Sequence, residues 1–159
     1  MNRVLDPFDS DMVDQLVDAS RADGIQIHTS VSIQAIEKND SSYTVVLESG
    51  ENLQVDLVVN GAGRAANIDA LNLGATGVEY SKKGIAVNIS MQTSIPHILA
   101  VGDCAASLQL ARVADMEAQV AAKTIIVAKE GGIPATIDYS ATPAVLFTYP
   151  QLGMLGKTE

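Results

Sequence analysis

Tryptophan is absent from this 159-residue chain, aromatic residues make up only 4% of it, and there is a single cysteine, Cys104. One cysteine excludes an intramolecular disulfide framework and any cysteine-based zinc cage. Scarce aromatics argue against a stacking platform for single-stranded nucleic acid. Positive charge is also in short supply: 10 Lys and Arg stand against 19 Asp and Glu, a net charge of −9. A partner that binds the phosphate backbone needs the opposite sign, so nucleic acid is excluded as a partner. No apolar run reaches the roughly 18 residues of a membrane span, and no basic stretch leads into an apolar one at the start. No membrane partner is therefore expected, and a cytoplasmic location is. The two histidines, His28 and His97, sit in no local arrangement that suggests a triad, a metal site or a general base. Repeats and low-complexity tracts are missing. What remains is globular material, 47% apolar and 18% charged, long enough to bury a core.

Along the chain, Pro7 to Ala22 reads as a helix. Asp9 or Ser10 can cap it, acids crowd its first turn, and Val13, Leu16 and Val17 share one face. Gly24 sits where a terminating glycine belongs. From Ile25 the period switches to two, predicting strands over Ile25–His28, Val31–Glu37, Tyr43–Glu48 and Leu53–Val55, an antiparallel meander with one solvated face. Asp56 to Asn60 reads as a strand buried on both sides, and Ile85 to Ile89 as an edge strand. Leu110 to Lys129 is a long helix with apolar residues nearly all round, so burial on most sides is expected. Gly131-Gly132 ends it, a proline-edged linker follows, and a strand restarts over Ala144–Thr148.

The most informative stretch is Thr93 to Ala105, TSIPHILAVGDCA. A proline turn leads into the apolar run Ile98 to Val101, which stops at Gly102-Asp103. This predicts a buried parallel strand whose carboxyl end delivers one carboxylate to a ligand. Gly102, without a Cβ, leaves room for something large against the backbone. Asp103 offers an acceptor-only side chain suited to the hydroxyls of a sugar or polyol. After it, the entry of the long helix carries unpaired N–H groups and about half a positive elementary charge, suited to a ligand edge that becomes negative. Cys104 reads as a small buried hydrophobe.

Two apparent nucleotide motifs are rejected on context. Gly61-Ala-Gly63-Arg-Ala-Ala66 fits G-x-G-x-x-A after a strand, but no helix opens at the third position and Glu79 follows no apolar strand. The G-K-T at Gly156 to Thr158 has no glycine at P-loop spacing, so nucleotide triphosphate binding is not expected.

T-x-x-P-x-I-x-A-x-G-D, as it stands from Thr93 to Asp103, resembles the second flavin-binding motif of the pyridine nucleotide–disulfide oxidoreductases. VVNGAGRAAN is similar to that family's A-x-G-R-x-P-N crossover, with Ala66 in place of proline. LARVADMEAQVAA resembles the L-A-H-K-A-E-D-E-G segment of its dihydrolipoamide dehydrogenase branch, without a gap from Asp103. Arg112 stands there for histidine and Ala118 for glycine. TPAVLFTYPQLGMLGKTE is similar to the opening of the interface domain, with Gln151 for Glu and Gly153 for Ala. The R-x-L-x-x-F-D-x-D pattern, Arg3 to Asp11, extends the resemblance over nearly the whole chain.

The resemblance implies an α/β fold of partial Rossmann-type FAD- and NAD(P)-binding domains around an antiparallel meander, truncated at both ends. Residues 1–63 would be the distal part of the NAD(P) domain, 64–138 the second half of the FAD domain, and 139–159 the start of the dimerisation domain. It implies FAD contacts at Gly102, Asp103, Gln109, Leu110, Ala111 and Arg112, and proximity of Gly63 to NAD(P). Asp103 would hold the ribityl chain. The implied enzyme moves electrons between NAD(P)H, FAD and a disulfide or dithiol substrate. These residues carry no catalytic pair of cysteines, so the chain alone is expected to be inactive and to position cofactor. Association into a dimer is expected as well. Two alternatives stay open: a related flavoprotein without a redox disulfide, and a non-catalytic binding or assembly module.

Overall fold

A computed structural model describes residues 3–158. Glu159, the last residue of the C-terminal resemblance, lies outside them. The chain divides into two compact units, one running up to Ala62 and rejoined by the segment from Val145 on, the other spanning Gly63–Ala144.

In the first unit, helix α1 covers Ser10–Ala22, three residues later in its start than the sequence suggested. Val13 and Leu16, three positions apart, are its buried residues, each contributing about 1.5–3 kcal/mol by leaving water. Gly24 adopts φ +88°, and its N–H closes on the Arg21 carbonyl at 3.0 Å. The expected strand over Ile25–His28 does not form. Among the described residues these four join no strand ladder, and Ile25, whose N–H bonds the Ser20 carbonyl at 3.0 Å, is 56% exposed.

The meander does form: β1 Ile33–Lys38, β2 Tyr43–Leu47 and β3 Asn52–Val55 make an antiparallel sheet in that order. Its turns are set by the polar residues that separate the strands. Asn39 N–H bonds the Ser42 carbonyl at 2.9 Å, and Gly50, at φ +87°, bonds the Leu47 carbonyl at 2.9 Å. Val45 and Leu47 alternate inward on β2. Thr44 is buried beside them, its hydroxyl accepting from Gln54 Nε2 at 2.7 Å and Asn39 Nδ2 at 3.0 Å, so its polar atom does not go unpaired. Asp56 to Asn60 is a correction: Leu57 is 72% and Val59 82% exposed, and no strand forms there. An apolar run becomes a doubly buried strand only when other strands and a covering layer meet it, and none does among the described residues.

In the second unit, Ile68, Leu73, Val78, Ile85, Ala100 and Ala105 form one apolar cluster. Met91, Val120, Ala121 and Ile137 form another. The expected edge strand shrinks to β5 Gly84–Ile85, paired antiparallel with β4 Tyr80–Ser81. Ile98 to Val101 belongs to no sheet. Leu99 makes one antiparallel bridge to Gln92, and Ile85 makes one parallel bridge to Ala105. Helix α2 covers Ala111–Glu130 and turns Val113, Glu117, Val120, Ala121 and Thr124 inward. It is buried along this one stripe and not on most sides, since Ile125 and Ile126 are more than half exposed. β6 Pro143–Leu146, which begins at the end of this unit, and β7 Leu152–Leu155, which belongs to the first unit, pair as a final two-stranded sheet. Among the described residues no helix is long and apolar enough to cross a membrane.

Gly84 is where backbone geometry is least forgiving. At φ +129°, a Cβ there would lie 2.7 Å from the Cys104 carbonyl oxygen and 2.8 Å from the Ala105 carbonyl carbon. Neither backbone atom can move without breaking the bond from Ala106 N–H to the Ile85 carbonyl at 2.8 Å. Gly84→Ala should therefore destabilise the second unit by roughly 2–4 kcal/mol, strain and overlap together. Urea unfolding of the variant against the parent chain checks it.

Candidate functional site

The residues singled out in the sequence gather in the second unit, where the chain passes from Val101 into α2. Val101 is extended at φ −143° and ψ 158°, after which Gly102–Cys104 makes one 3-10 turn. Gly102 has φ +69°, a conformation that glycine adopts without penalty. The sequence reading left room beside it for a ligand, and the structure corrects this: the space is taken by α2. A Cβ there would meet Ala114 Cβ of α2 at 3.3 Å, so the missing side chain lets the helix approach. Gly102 is itself buried.

Asp103, next in the chain, faces outward with its side chain 58% exposed. Arg64 Nη1 donates to Asp103 Oδ2 at 3.2 Å, and Arg64 Nη2 donates to the Gln109 carbonyl at the same distance. Gln109 Nε2 in turn donates to the Asp103 carbonyl at 3.4 Å. One guanidinium thus braces both ends of the loop that carries Asp103. As an exposed pair it contributes at most about 1 kcal/mol. Gly63, immediately before Arg64, has φ +96° and no atom near its missing side chain. Arg64, Lys82, Lys83, Ser107 and Gln109 share the wall of a cleft of about 350 Å³, a cationic spot on an acidic chain.

Leu110 precedes the first turn of α2 in extended conformation, no side chain caps this end, and no acid occupies the first turn. The Ala114 N–H is the first to be taken up within the helix, by the Leu110 carbonyl at 3.0 Å. Leu110 is half-buried, whereas Ala111 and Arg112 are exposed. Arg112 turns back along the helix toward Asp115 at 3.4 Å.

Glu117 was visible in the sequence only as a match in the helix segment, and its placement decides the local architecture. It is wholly buried. Glu117 Oε2 accepts the Gly102 N–H at 2.6 Å, and Oε1 accepts the Tyr139 O–H at 2.7 Å. The signal was a glutamate on the inward stripe Val113, Glu117, Val120, Ala121, Thr124, a place where an acid is rarely found unpaired. Tyr139, read as linker, is half-buried against the Met91 cluster. Cys104 is half-buried rather than fully so, packed on the Ile68 cluster with its thiol 3.2 Å from the Val101 carbonyl. Among the described residues no group of three or more His, Cys, Asp or Glu is placed to hold a metal.

With this geometry in view, the comparisons with known proteins fall into one pattern. The model of the pyridine nucleotide-disulphide oxidoreductase family matches residues 1–118. The chain belongs to that family. Dihydrolipoyl dehydrogenase of Bacillus subtilis is 31% identical over 161 residues, covering 99% of this chain and 34% of its own length. The Staphylococcus aureus enzyme of the same name is 34% identical over 160 residues, 98% of this chain and 33% of its own. A soluble pyridine nucleotide transhydrogenase of Vibrio atlanticus is 31% identical, with 99% and 33% covered. This chain therefore spans about a third of the curated relatives it matches. Among solved structures, the HOCl-induced flavoprotein disulfide reductase RclA from Escherichia coli superposes over the whole chain and 36% of its own, with TM-score 0.86 at 21% identity. LpdA from Mycobacterium tuberculosis covers 91% of the chain and 31% of its own, with TM-score 0.80 at 20% identity. These likenesses give the fold: a part of the Rossmann-type architecture of the flavin disulfide reductases, with an antiparallel meander.

Tyr139 gives this region a spectroscopic handle. Burial, the hydrogen bond it donates to Glu117 and the charge of that carboxylate push its hydroxyl up to about 12, against a smaller opposing effect of Ser107. A phenol whose pKa is raised by folding leaves stability unchanged below the unfolded value near 10 and costs stability as pH rises from there to about 12. One of the four tyrosines should therefore ionise late in a tyrosinate absorbance titration, and stability should decline across that interval. Tyr139→Phe should abolish the late step.

Proposed function

We propose that this chain is the cofactor-positioning part of a flavin- and nicotinamide-dependent disulfide oxidoreductase of the dihydrolipoamide dehydrogenase type. The observation that carries the reading is the Gly102-Asp103 turn joined without interruption to the open N-terminus of α2. Here an exposed carboxylate, an uncapped set of helix N–H groups and a glycine-permitted bend occur within ten residues. Membership of the family and the run of relatives named dihydrolipoyl dehydrogenase support it.

In this reading Asp103 accepts hydroxyl hydrogens of the FAD ribityl chain, and Leu110, Ala111 and Arg112 present their backbone to the flavin edge. Gln109 and Arg64 hold the connecting loop, and Gly102 provides the bend. The N-terminus of α2 meets a developing negative charge with its positive end. When bound, FAD passes two electrons between a nicotinamide nucleotide and a disulfide. This chain contributes binding and electrostatics to that relay, since Cys104 alone cannot alternate between dithiol and disulfide. Gly63 is assigned to the NAD(P) side, residues 1–63 to the distal NAD(P) domain, 64–138 to the FAD domain and 139–159 to the start of the interface domain. The boundary between the two compact units at Ala62 and Gly63 supports the first of these divisions. A cytoplasmic setting and homo-oligomeric association complete the proposal.

The likeness to pyridine nucleotide transhydrogenases favours a second reading, in which the electrons go to another nicotinamide nucleotide instead of a disulfide. Both readings share the flavin site. Asp103→Ala removes a charge-assisted bond to flavin and should weaken FAD binding by roughly ten- to a hundredfold in the full-length flavoprotein. Titration of FAD into stripped protein checks it, and unchanged affinity would sink the assignment of Asp103.

Association has its own test. Leu57, Val59, Phe147 and Tyr149 are each more than 70% exposed, an amount of apolar surface that favours contact between copies. Light scattering of the chain at micromolar concentration should give a mass above that of a monomer, and a clean monomer would refute it.

A further inference from the structure

The hydrogen bonds of Glu117 connect three segments that are far apart in sequence: the turn at Gly102, helix α2 and the stretch at Tyr139. Nothing about this carboxylate suggests contact with a ligand, because it is wholly buried and both oxygens are taken up by protein donors. What it touches is the backbone N–H of Gly102, the residue immediately before Asp103. Glycine at φ +69° is permitted that bend but is not held to it, since glycine occupies both signs of φ with similar ease. The Ala114 side chain, 3.3 Å from where a Cβ would sit, limits the turn on one side. The short bond from the Gly102 N–H to Glu117 pins it on the other. Tyr139, donating to the second oxygen, keeps the carboxylate from rotating away.

We propose that Glu117 is a positioning residue for the flavin site: clamped by Tyr139, it sets the Gly102 bend and thereby the aim of Asp103. The inference rests on the flavin reading given above and adds to it the residue that makes the exposed acceptor rigid. Preorganisation of this kind lowers the ordering cost of binding without adding a contact. It also makes the segment at Tyr139, where the interface domain is proposed to begin, part of the support of the cofactor site.

The test is FAD titration into the stripped full-length flavoprotein, read by flavin fluorescence and accompanied by thermal melts. Glu117→Gln can still accept from the Gly102 N–H with its carbonyl oxygen and donate to the Tyr139 oxygen with its amide. It should stay within about threefold of the parent. Glu117→Leu keeps the volume and loses both bonds, and should weaken FAD by about tenfold or more. Because Glu117 acts through Asp103, Glu117→Leu added to Asp103→Ala should weaken binding little beyond Asp103→Ala alone. Equal losses in both backgrounds would mean a general effect on the fold and would overturn the proposal. So would full affinity in Glu117→Leu when Asp103→Ala has lost it. If Asp103→Ala itself leaves affinity unchanged, the flavin reading fails first and the positioning role falls with it. Should Glu117→Leu not fold, Tyr139→Phe takes its place. It removes a single donor and should cost about threefold in affinity at nearly unchanged melting temperature, an effect absent from the Asp103→Ala background. A loss that persists there overturns the proposal.

Discussion

A buried carboxylate with two short hydrogen bonds is the constraint on which the second unit depends. Taking Glu117 out of water is costly unless its oxygens find donors, and leaving either one unpaired inside the protein costs about 1–3 kcal/mol or more. The fold meets this with one backbone donor and one phenol, from opposite sides in sequence. Three placements follow together. α2 must lie close enough to Gly102 for a 2.6 Å bond, which requires a residue without a Cβ opposite Ala114. Tyr139 must come back over the same helix, which seats Ile137 in the cluster with Met91, Val120 and Ala121. Two turns further along α2, Thr124 bonds the Ser90 carbonyl at 3.1 Å, so polar contacts fix the helix register at two points along a stripe that apolar packing alone would let slide.

The surface around this core is polarised in a way that composition conceals. The chain is strongly acidic, yet Arg64, Lys82 and Lys83 line one cleft beside Gln109. Arg64 spends its charge on Asp103 and on the Gln109 carbonyl. That pairing fixes one edge of the Asp103 carboxylate. It does so without burying the carboxylate, which remains free to accept on its other lone pairs. The helix end a few residues on has neither a side-chain cap nor an acid in its first turn, and Arg112, a cation where the helix dipole disfavours one, is drawn off toward Asp115.

What the sequence revealed and what it concealed divide by the range of the interactions involved. The meander over β1 to β3 was legible because its evidence is local: alternation within each strand, and asparagine or glycine at each turn. Helix α1 was legible through Val13 and Leu16, and α2 through its length. The Gly102-Asp103 turn and the helix after it stood out as motifs within a few residues of one another. Ile25–His28 reads as a strand from alternation, and Asp56–Asn60 and Ile98–Val101 from apolar runs, yet none pairs as one. A strand is a property of its neighbours as much as of its own residues, and a parallel one has no local signature of its partners. Arg64 with Asp103, 39 positions apart, and Tyr139 with Glu117, 22 apart, were equally out of reach. Nothing in either residue's immediate neighbourhood announces the other.

The same division explains why the turn at Gly102 needs a distant residue to define it. A motif can specify which conformations are open, and glycine opens the left-handed one that an aspartate or valine at position 102 would resist. Permission is not selection. An unrestrained glycine samples many states, and fixing its backbone into one costs about 1–2 kcal/mol. If that cost fell on ligand binding, the affinity of any ligand held by Asp103 would be reduced by the same amount. Here it is met during folding, by a bond to a carboxylate that has no other way to be satisfied. The group that directs Asp103 therefore lies where the sequence shows only a glutamate on the inward face of a helix, and it has to be buried to do so. An exposed carboxylate at the same position would be bound by water and could not compete for one amide.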